Sequence, residues 1–280
     1  MKKNVSKLII ILLSIFMCLP IILIVSGSLM GLDELKECLG PALSDMEGYV
    51  RLSLFPKYPT LKSIVQLLLD TPEFFVMYWN SIKIVVFVLF GQVLLAMPAA
   101  WAFAQYNFSH KKLLFTIYIV VMLMPFQVTM LSSYIVLDKF NIINTHLSLI
   151  IPGIFSTFPV FIMYRFFSNI PKSILEAARI DGASEIKVFL NIGVPLGMPG
   201  IISAMVLGFI EYWNLIEQPL TFIKDQSLWP ISLYLPNIGL ENADIAFLAS
   251  LVTLLTSLAV FFAGQKYLKE GISATSGGEK

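Results

Sequence analysis

Three groups of residues in this chain have types and spacing suited to chemistry. Glu211-Tyr212-Trp213-Asn214 places a carboxylate, two amphipathic rings and an amide in consecutive positions at the end of an apolar stretch. An acid in such a setting needs a polar cavity or a partner. The set can line a path for a polyol, with rings against the carbon skeleton and polar groups on the hydroxyls. Trp and Tyr serve equally well as interfacial anchors. Gln127, Thr129, Ser132, Ser133 and Tyr134 form a second polar run beside Pro125, suited either to solute contact or to hydrogen bonding between helices. The third group runs from Glu176-Ala177-Ala178 through Asp181-Gly182 to Ile192 and Pro195. Catalysis finds no support. His110 and His146 lie far apart in sequence and read as surface histidines, and no His-Glu-x-x-His or nucleophile-elbow pattern occurs. Cys18 and Cys38 lack any metal-type spacing. The expectation is no catalytic residue and no metal site.

The elements that must position these groups are membrane helices. Of 280 residues, 57% are apolar, against roughly 45–50% in a soluble domain. Charged residues make up 13%, about half the usual ~25%. With 19 Lys+Arg against 18 Asp+Glu, the basic balance of a nucleic-acid binder is absent. A bilayer core of ~30 Å needs about 20 apolar residues per helix. Six segments qualify: Leu8–Met30, Ser81–Ala104, Leu113–Leu137, Leu147–Phe167, Gly197–Ile216 and Ala246–Gln265. Kinks are expected at Pro20, Pro98, Pro125, Pro152 and Pro159. The first span has a rival reading as a secretory signal peptide, but its apolar run from Leu8 to Val25 exceeds the ~7–15 residues of such a segment. It counts as a retained helix.

Twelve of the cations, among them Lys2, Lys3, Lys7, Lys111, Lys112, Arg165, Lys172, Arg179 and Lys187, fall on one side of this arrangement. The positive-inside rule then puts both termini in the cytoplasm. The outward segment Gly31–Tyr78 is too long for a simple connection. Its apolar set of Leu61, Ile64, Val65, Leu67 and Leu68 suggests a small helical cap. A second outward loop, Glu217–Ile245, holds Pro219, Trp229, Pro230 and Pro236-Asn237 and reads as an ordered excursion. On the inner side, Ser168–Leu196 reads as helix, glycine turn, helix. Ser173 and Glu176 have capping-box spacing, and Leu175, Ala178 and Ile180 form the apolar stripe. Gly182 suits a left-handed stop, and Ser184 caps a second short helix ending near Gly193-Val194-Pro195. An amphipathic interfacial connector is the alternative reading of this loop. The Gly/Ser-rich tail, Ser273–Gly278, is expected to be disordered.

This inner segment resembles the EAA loop of binding-protein-dependent ABC importers, whose pattern is Glu-Ala-Ala, three residues, Gly, nine residues, Ile, one residue, Leu-Pro. Glu176-Ala177-Ala178, Gly182, Ile192 and Pro195 fall at every required spacing, with Val194 in place of the Leu. Further stretches are similar to the carbohydrate-importer permeases related to the smaller permease of maltose-type systems. They include Phe55-Pro56, Asn80-Ser81, Met124-Pro125-Phe126-Gln127, Asn144-Thr145, Ile151-Pro152, Ile170-Pro171, Trp213-Asn214, Pro219-Leu220 and Gln265-Lys266-Tyr267. Glu217-Gln218 departs from that subgroup.

The resemblance implies an all-α, six-span permease in the cell membrane. Its parts would be an N-terminal membrane helix (1–30), an extracytoplasmic cap (31–78), a five-helix core (79–268) with coupling loop 168–196, and a cytoplasmic tail (269–280). It implies that Glu176, Ala177, Ala178, Asp181 and Gly182 dock on a cytoplasmic ATPase, which binds the ATP and magnesium. This chain has no Gly-x-x-x-x-Gly-Lys-Ser/Thr loop of its own. It further implies a second homologous permease, a pair of ATP-binding subunits, an extracytoplasmic solute-binding protein reached by the Glu217–Ile245 loop, and a carbohydrate substrate. Gln127, Ser133, Glu211, Trp213 and Asn214 are the candidates for the substrate path. Two alternatives stand: import of another small solute by the same class of permease, and ion-coupled secondary transport, against which no paired broken helices are evident.

Overall fold

In the computed structural model the described residues are 2–43, 49–51, 53–234 and 240–276, and among them there is no strand. The helices are α1 (Lys2–Gly27), α2 (Leu32–Leu43), α3 (Lys62–Leu69), α4 (Pro72–Gln105), α5 (Lys111–Met122), α6 (Phe126–Lys139) and α7 (Leu147–Ile154). They continue with α8 (Phe158–Ser168), α9 (Lys172–Ile180), α10 (Glu185–Val188), α11 (Val194–Trp213), α12 (Glu217–Phe222) and α13 (Ala243–Ser276). Among the described residues five stretches are long and apolar enough to cross a bilayer: Ser6–Gly27, Pro72–Gln105, Leu147–Ser168, Glu185–Trp213 and Ala243–Lys269. The remaining expected span, Leu113–Leu137, is not one helix. α5 and α6 meet at 100° across Leu123-Met124-Pro125. The chain is therefore a multi-pass, all-helical membrane protein, and its third span is broken rather than kinked.

Proline alone does not explain that break. Pro20 and Pro98 lie inside α1 and α4, which continue through them. A missing N–H can be tolerated in a membrane helix where neighbours re-satisfy the freed carbonyl. At Pro125 the backbone is extended (φ −67°, ψ 145°), and the helix restarts at Phe126. The fourth span is also interrupted, with α7 ending at Ile154 and α8 beginning at Phe158.

The chain divides into two compact units. One comprises Met1–Met77 with Leu233–Thr256, the other Tyr78–Ser232 with Ser257–Lys280. In the first, Met30, Leu35 and Ala243 form a small core. Ser63 donates to Asp244 at 3.1 Å in the interior, and the Glu34 carboxylate accepts from the backbone N–H groups of Lys57 and Tyr58 at 2.8 and 3.4 Å. The buried face of α3 is Ser63 and Leu67, one turn apart, while Leu61, Val65 and Leu68 of the expected apolar set are exposed. Cys38 is buried and Cys18 exposed.

The second unit is built around α8 and α11. Trp101, Phe167, Met163, Val188, Ile201 and Ala204 belong to its core. α11 approaches closely because glycines face aromatic rings. A Cβ on Gly193 would lie 2.5 Å from the Trp101 ring, and one on Gly197 would overlap Phe167. Such small-residue seams let membrane helices exchange van der Waals contact without a hydrophobic driving force. Gly197→Val should therefore destabilise the fold by about 1–3 kcal/mol, the usual cost of overpacking. This would be read as a lowered melting temperature of the purified protein. Leu255→Ile, on an exposed site of α13, should leave it unchanged.

α13 extends through Ser276, so 273–276, expected to be disordered, are helical here. Residues 277–280 and the Pro236-Asn237 pair lie outside the described residues.

Candidate functional site: a cavity at two helix breaks and an exposed helix–glycine–helix loop

A cavity of about 450 Å³ lies in the second unit, where the two broken spans meet α11 and α12. The non-helical residues Phe155, Ser156 and Thr157 all line it, and Met122 and Phe126 flank the first break at its wall. Irregular backbone at membrane depth persists where it lines a cavity or is covered by protein, so the breaks and the cavity explain each other. Glu211 and Tyr212 reach it from α11, Thr129 and Ser133 from α6, and Gln218 from α12. Tyr212 is held in place from behind. Its hydroxyl donates to the Gly153 carbonyl at 3.3 Å, and the fully buried Gln92 amide donates to the same oxygen at 2.8 Å.

Of the five residues expected along a substrate path, the structure brings Ser133 and Glu211 together on this cavity. The other three are not among its lining. The Gln127 amide donates to the Glu217 carboxylate at 2.6 Å. Trp213 is fully buried, stacked on Phe209 at 5.3 Å and edge-on to Tyr78 at 5.4 Å. Asn214 ends α11, its amide donating to the Ile210 carbonyl at 2.8 Å. Sequence reasoning missed Ser148, Ser156, Thr157 and Gln218. Ser156-Thr157 between Pro152 and Pro159 was the available signal, because two prolines bracketing two hydroxyl residues weaken a continuous helix.

The segment following α12 is ordered by asparagines. The Asn144 side chain accepts from the Lys224 and Asp225 N–H groups, both at 2.8 Å, from a left-handed backbone (φ 60°). Asn80 donates to the Ser227 and Trp229 carbonyls at 2.8 and 3.1 Å, and Ser81 accepts from Ile231 N–H at 2.8 Å. Asn80-Ser81 and Asn144 are thus clasps for residues 224–231. His146, expected at the surface, is half-buried, its Nε2 3.0 Å from the Leu228 carbonyl.

The loop between α8 and α11 forms the second candidate site. α9 starts after Pro171, with no side-chain cap, so the expected Ser173–Glu176 capping box does not form. Pro171 presets the entry dihedral without needing a donor. Leu175 is 1% exposed, and Ala178 packs on the same core. Ile180, expected in that stripe, is 85% exposed. Five residues past Leu175 is about 140° around a helix of 3.6 residues per turn, so it faces away. Gly182 has φ +81° and no atom within 4 Å of where a Cβ would stand, as a left-handed stop requires.

The second helix does not end near Pro195. α10 passes through one π turn, Phe189–Gly193, in which Val194 N–H donates to the Phe189 carbonyl, and runs on into α11. A π turn is a common way to re-register a helix at a functional position. Loop and span are consequently one rod, Glu185–Trp213. Arg179 donates to both oxygens of Glu185 at 2.7 and 3.1 Å, and the Tyr106 hydroxyl donates to Glu185 at 2.8 Å. Burial, helped by that carboxylate, raises the Tyr106 pKa above the ordinary phenol value. The arrangement leaves Glu176, Ala177, Asp181 and Gly182 exposed on a helix anchored from beneath, with Ala178 half-buried. Among the described residues no cluster could hold a metal ion.

This combination of broken membrane spans around a polar cavity with an exposed, anchored helical loop is that of a solute permease. Residues 92–273 match the family described as binding-protein-dependent transport system inner membrane component, and the chain belongs to that family. It is 25% identical over 243 residues to an arabinooligosaccharides transport system permease protein of Halalkalibacterium halodurans, covering 86% of each chain. It is 32% identical over 200 residues to a probable ABC transporter permease protein of Pyrococcus horikoshii, covering 69% of this chain and 72% of that one. A crystal structure of a bacterial ABC transporter that imports the acidic polysaccharide alginate contains a chain of the same fold. The TM-score is 0.79 at 20% identity, over 95% of this chain and 96% of that chain. Membership of this family removes the ion-coupled reading.

Proposed function

We propose that the chain is the translocating subunit of an ATP-driven carbohydrate importer, with both termini and the 168–196 loop on the cytoplasmic side. The observation that carries it is the loop. Glu176, Ala177, Asp181 and Gly182 form an exposed surface with no side chain projecting at Gly182, and Leu175 and Val188 root it in the hydrophobic core of the second unit. A nucleotide-binding subunit that grips this surface and closes on its own copy would move α9. The Arg179–Glu185–Tyr106 bonds and the continuous rod into α11 would carry that motion to the cavity, one rigid element shifting between two packings. A second permease would complete the path, and a solute-binding protein would deliver to the face bearing residues 217–231. ATP and magnesium would be held by the nucleotide-binding subunits. The carbohydrate assignment is supported by the arabinooligosaccharide relative and by a cavity whose hydroxyl, amide and ring groups suit polyols.

The test is to extract the complex in mild detergent, identify the co-purifying chains, and measure ATP hydrolysis with candidate sugar-loaded binding proteins. An ATPase and a second permease should accompany the chain, and one saccharide class should stimulate hydrolysis. Stimulation by a non-carbohydrate solute alone would reassign the substrate and leave the permease reading intact.

A further inference from the structure

The charge of the cavity allows a finer statement, which rests on the carbohydrate reading. Eighteen residues line it, and Glu211 is the one acid, with no Lys, Arg or His among them. The remaining polar groups are hydroxyls, among them Thr129, Ser156 and Tyr212, and the Gln218 amide. Among the described residues the ion pairs are Arg51–Glu37 and Arg179–Glu185, and Glu211 has no ion-pair partner among them. Glu217, next to the lining residue Gln218, accepts from the Gln127 amide, a bond that leaves its charge in place.

We infer that this cavity passes neutral or positively charged saccharides and rejects anionic ones such as uronates and sugar phosphates, with Glu211 as the discriminating residue. An entering anion would meet a carboxylate on the cavity wall, in a partly desolvated setting where like charges repel more strongly than in bulk water. It would also give up part of its hydration shell against a wall that offers no cation in exchange, a cost for any desolvated charge. A neutral polyol finds donors and acceptors in the hydroxyls and the amide, and an acceptor in the carboxylate. An ammonium group gains the same carboxylate as a partner. The alginate importer's chain shares the fold. The backbone therefore leaves the preferred charge open, and it falls to the side chains at this cavity.

The test uses the whole purified complex without its binding protein, so that the carrier's own selectivity drops out. Ser133→Cys places a thiol on the cavity wall, and its rate of reaction with a small neutral maleimide is measured above the unsubstituted background. Three trisaccharides of equal length compete: a neutral hexose trimer, a galacturonate trimer and a glucosamine trimer. The galacturonate trimer should need at least about tenfold more for half-protection than the neutral one, a modest demand on a like-charge contact at this range. The glucosamine trimer should need no more than the neutral one. Adding Glu211→Gln, nearly isosteric, should shrink the gaps to about threefold or less on the same grounds. Glu211→Asp, which keeps the charge, should retain them and shows that the wall tolerates replacement. Equal protection by neutral and acidic trimers, or a gap that survives Glu211→Gln, overturns the inference while leaving a carbohydrate path in place. Protection by none of the three would instead overturn the carbohydrate reading of the cavity, and the inference with it.

Discussion

Gly182→Asn is expected to strip the proposed ATPase partner from the permease almost as completely as Gly182→Asp, and Gly182→Ala to do so only in part. The three variants separate two roles of one residue. At φ +81° a left-handed backbone costs an ordinary L-residue roughly 1–2 kcal/mol, whereas Asn and Asp visit this region more readily. Within this chain none of the side chains would clash, because the space around a Cβ at Gly182 is open. If only the turn mattered, Asn would be mild and Ala the more damaging. If a partner packs against the glycine, bulk decides, and overpacking at about 1–3 kcal/mol is roughly 5- to 150-fold in affinity. The measurements are ATPase recovered per permease and radiolabelled sugar uptake, with membrane insertion as the control. Stoichiometric ATPase on Gly182→Asn would show that nothing docks closely there. Glu176→Lys, on the same exposed surface, should lose attachment in parallel.

Leu175→Ala is expected to uncouple transport from the opposite face of the same helix. Leu175 is 1% exposed in the core shared with Trp101, Phe167 and Val188. Truncating a buried Leu costs about 2–5 kcal/mol, and the nine residues of α9 are too few to hold a helix without tertiary packing. The cost therefore falls locally, as a helix that lifts from its seat rather than a permease that unfolds. Trypsin should cut faster at Lys172 and Arg179, uptake should fall by an order of magnitude or more, and the melting temperature of the spans should change little. Ile180→Ala, on the exposed side, should leave trypsin resistance unaltered while weakening ATPase attachment. Identical behaviour of the two variants would refute a helix with one anchored and one offered face.

Much of the architecture is legible from residue order. Apolar runs of about 20 residues among few charges mark the spans, and they recur as the five spanning helices and the bent pair. Gly182 likewise announces a left-handed stop, because that depends on local dihedral preference, whereas the expected Ser173–Glu176 cap gave way to Pro171. Which side of α9 is buried was only half legible. Periodicity placed Leu175 and Ala178 together, but only the core beneath them settled that Ile180 points away.

The cavity belongs to the tertiary structure. Composition could not say that Pro98 sits within a continuous helix while Pro125 breaks one, since that depends on whether neighbouring groups or a cavity satisfy the released backbone. Nor could it place Glu211 on a cavity wall and Trp213, two residues on, in the interior. Successive helical positions point about 100° apart, and only the packed neighbours decide which of those directions is open. The bonds from Asn144 and Glu185 to distant residues follow the same rule. Local sequence specifies what a side chain can donate or accept, and the fold alone brings it a partner.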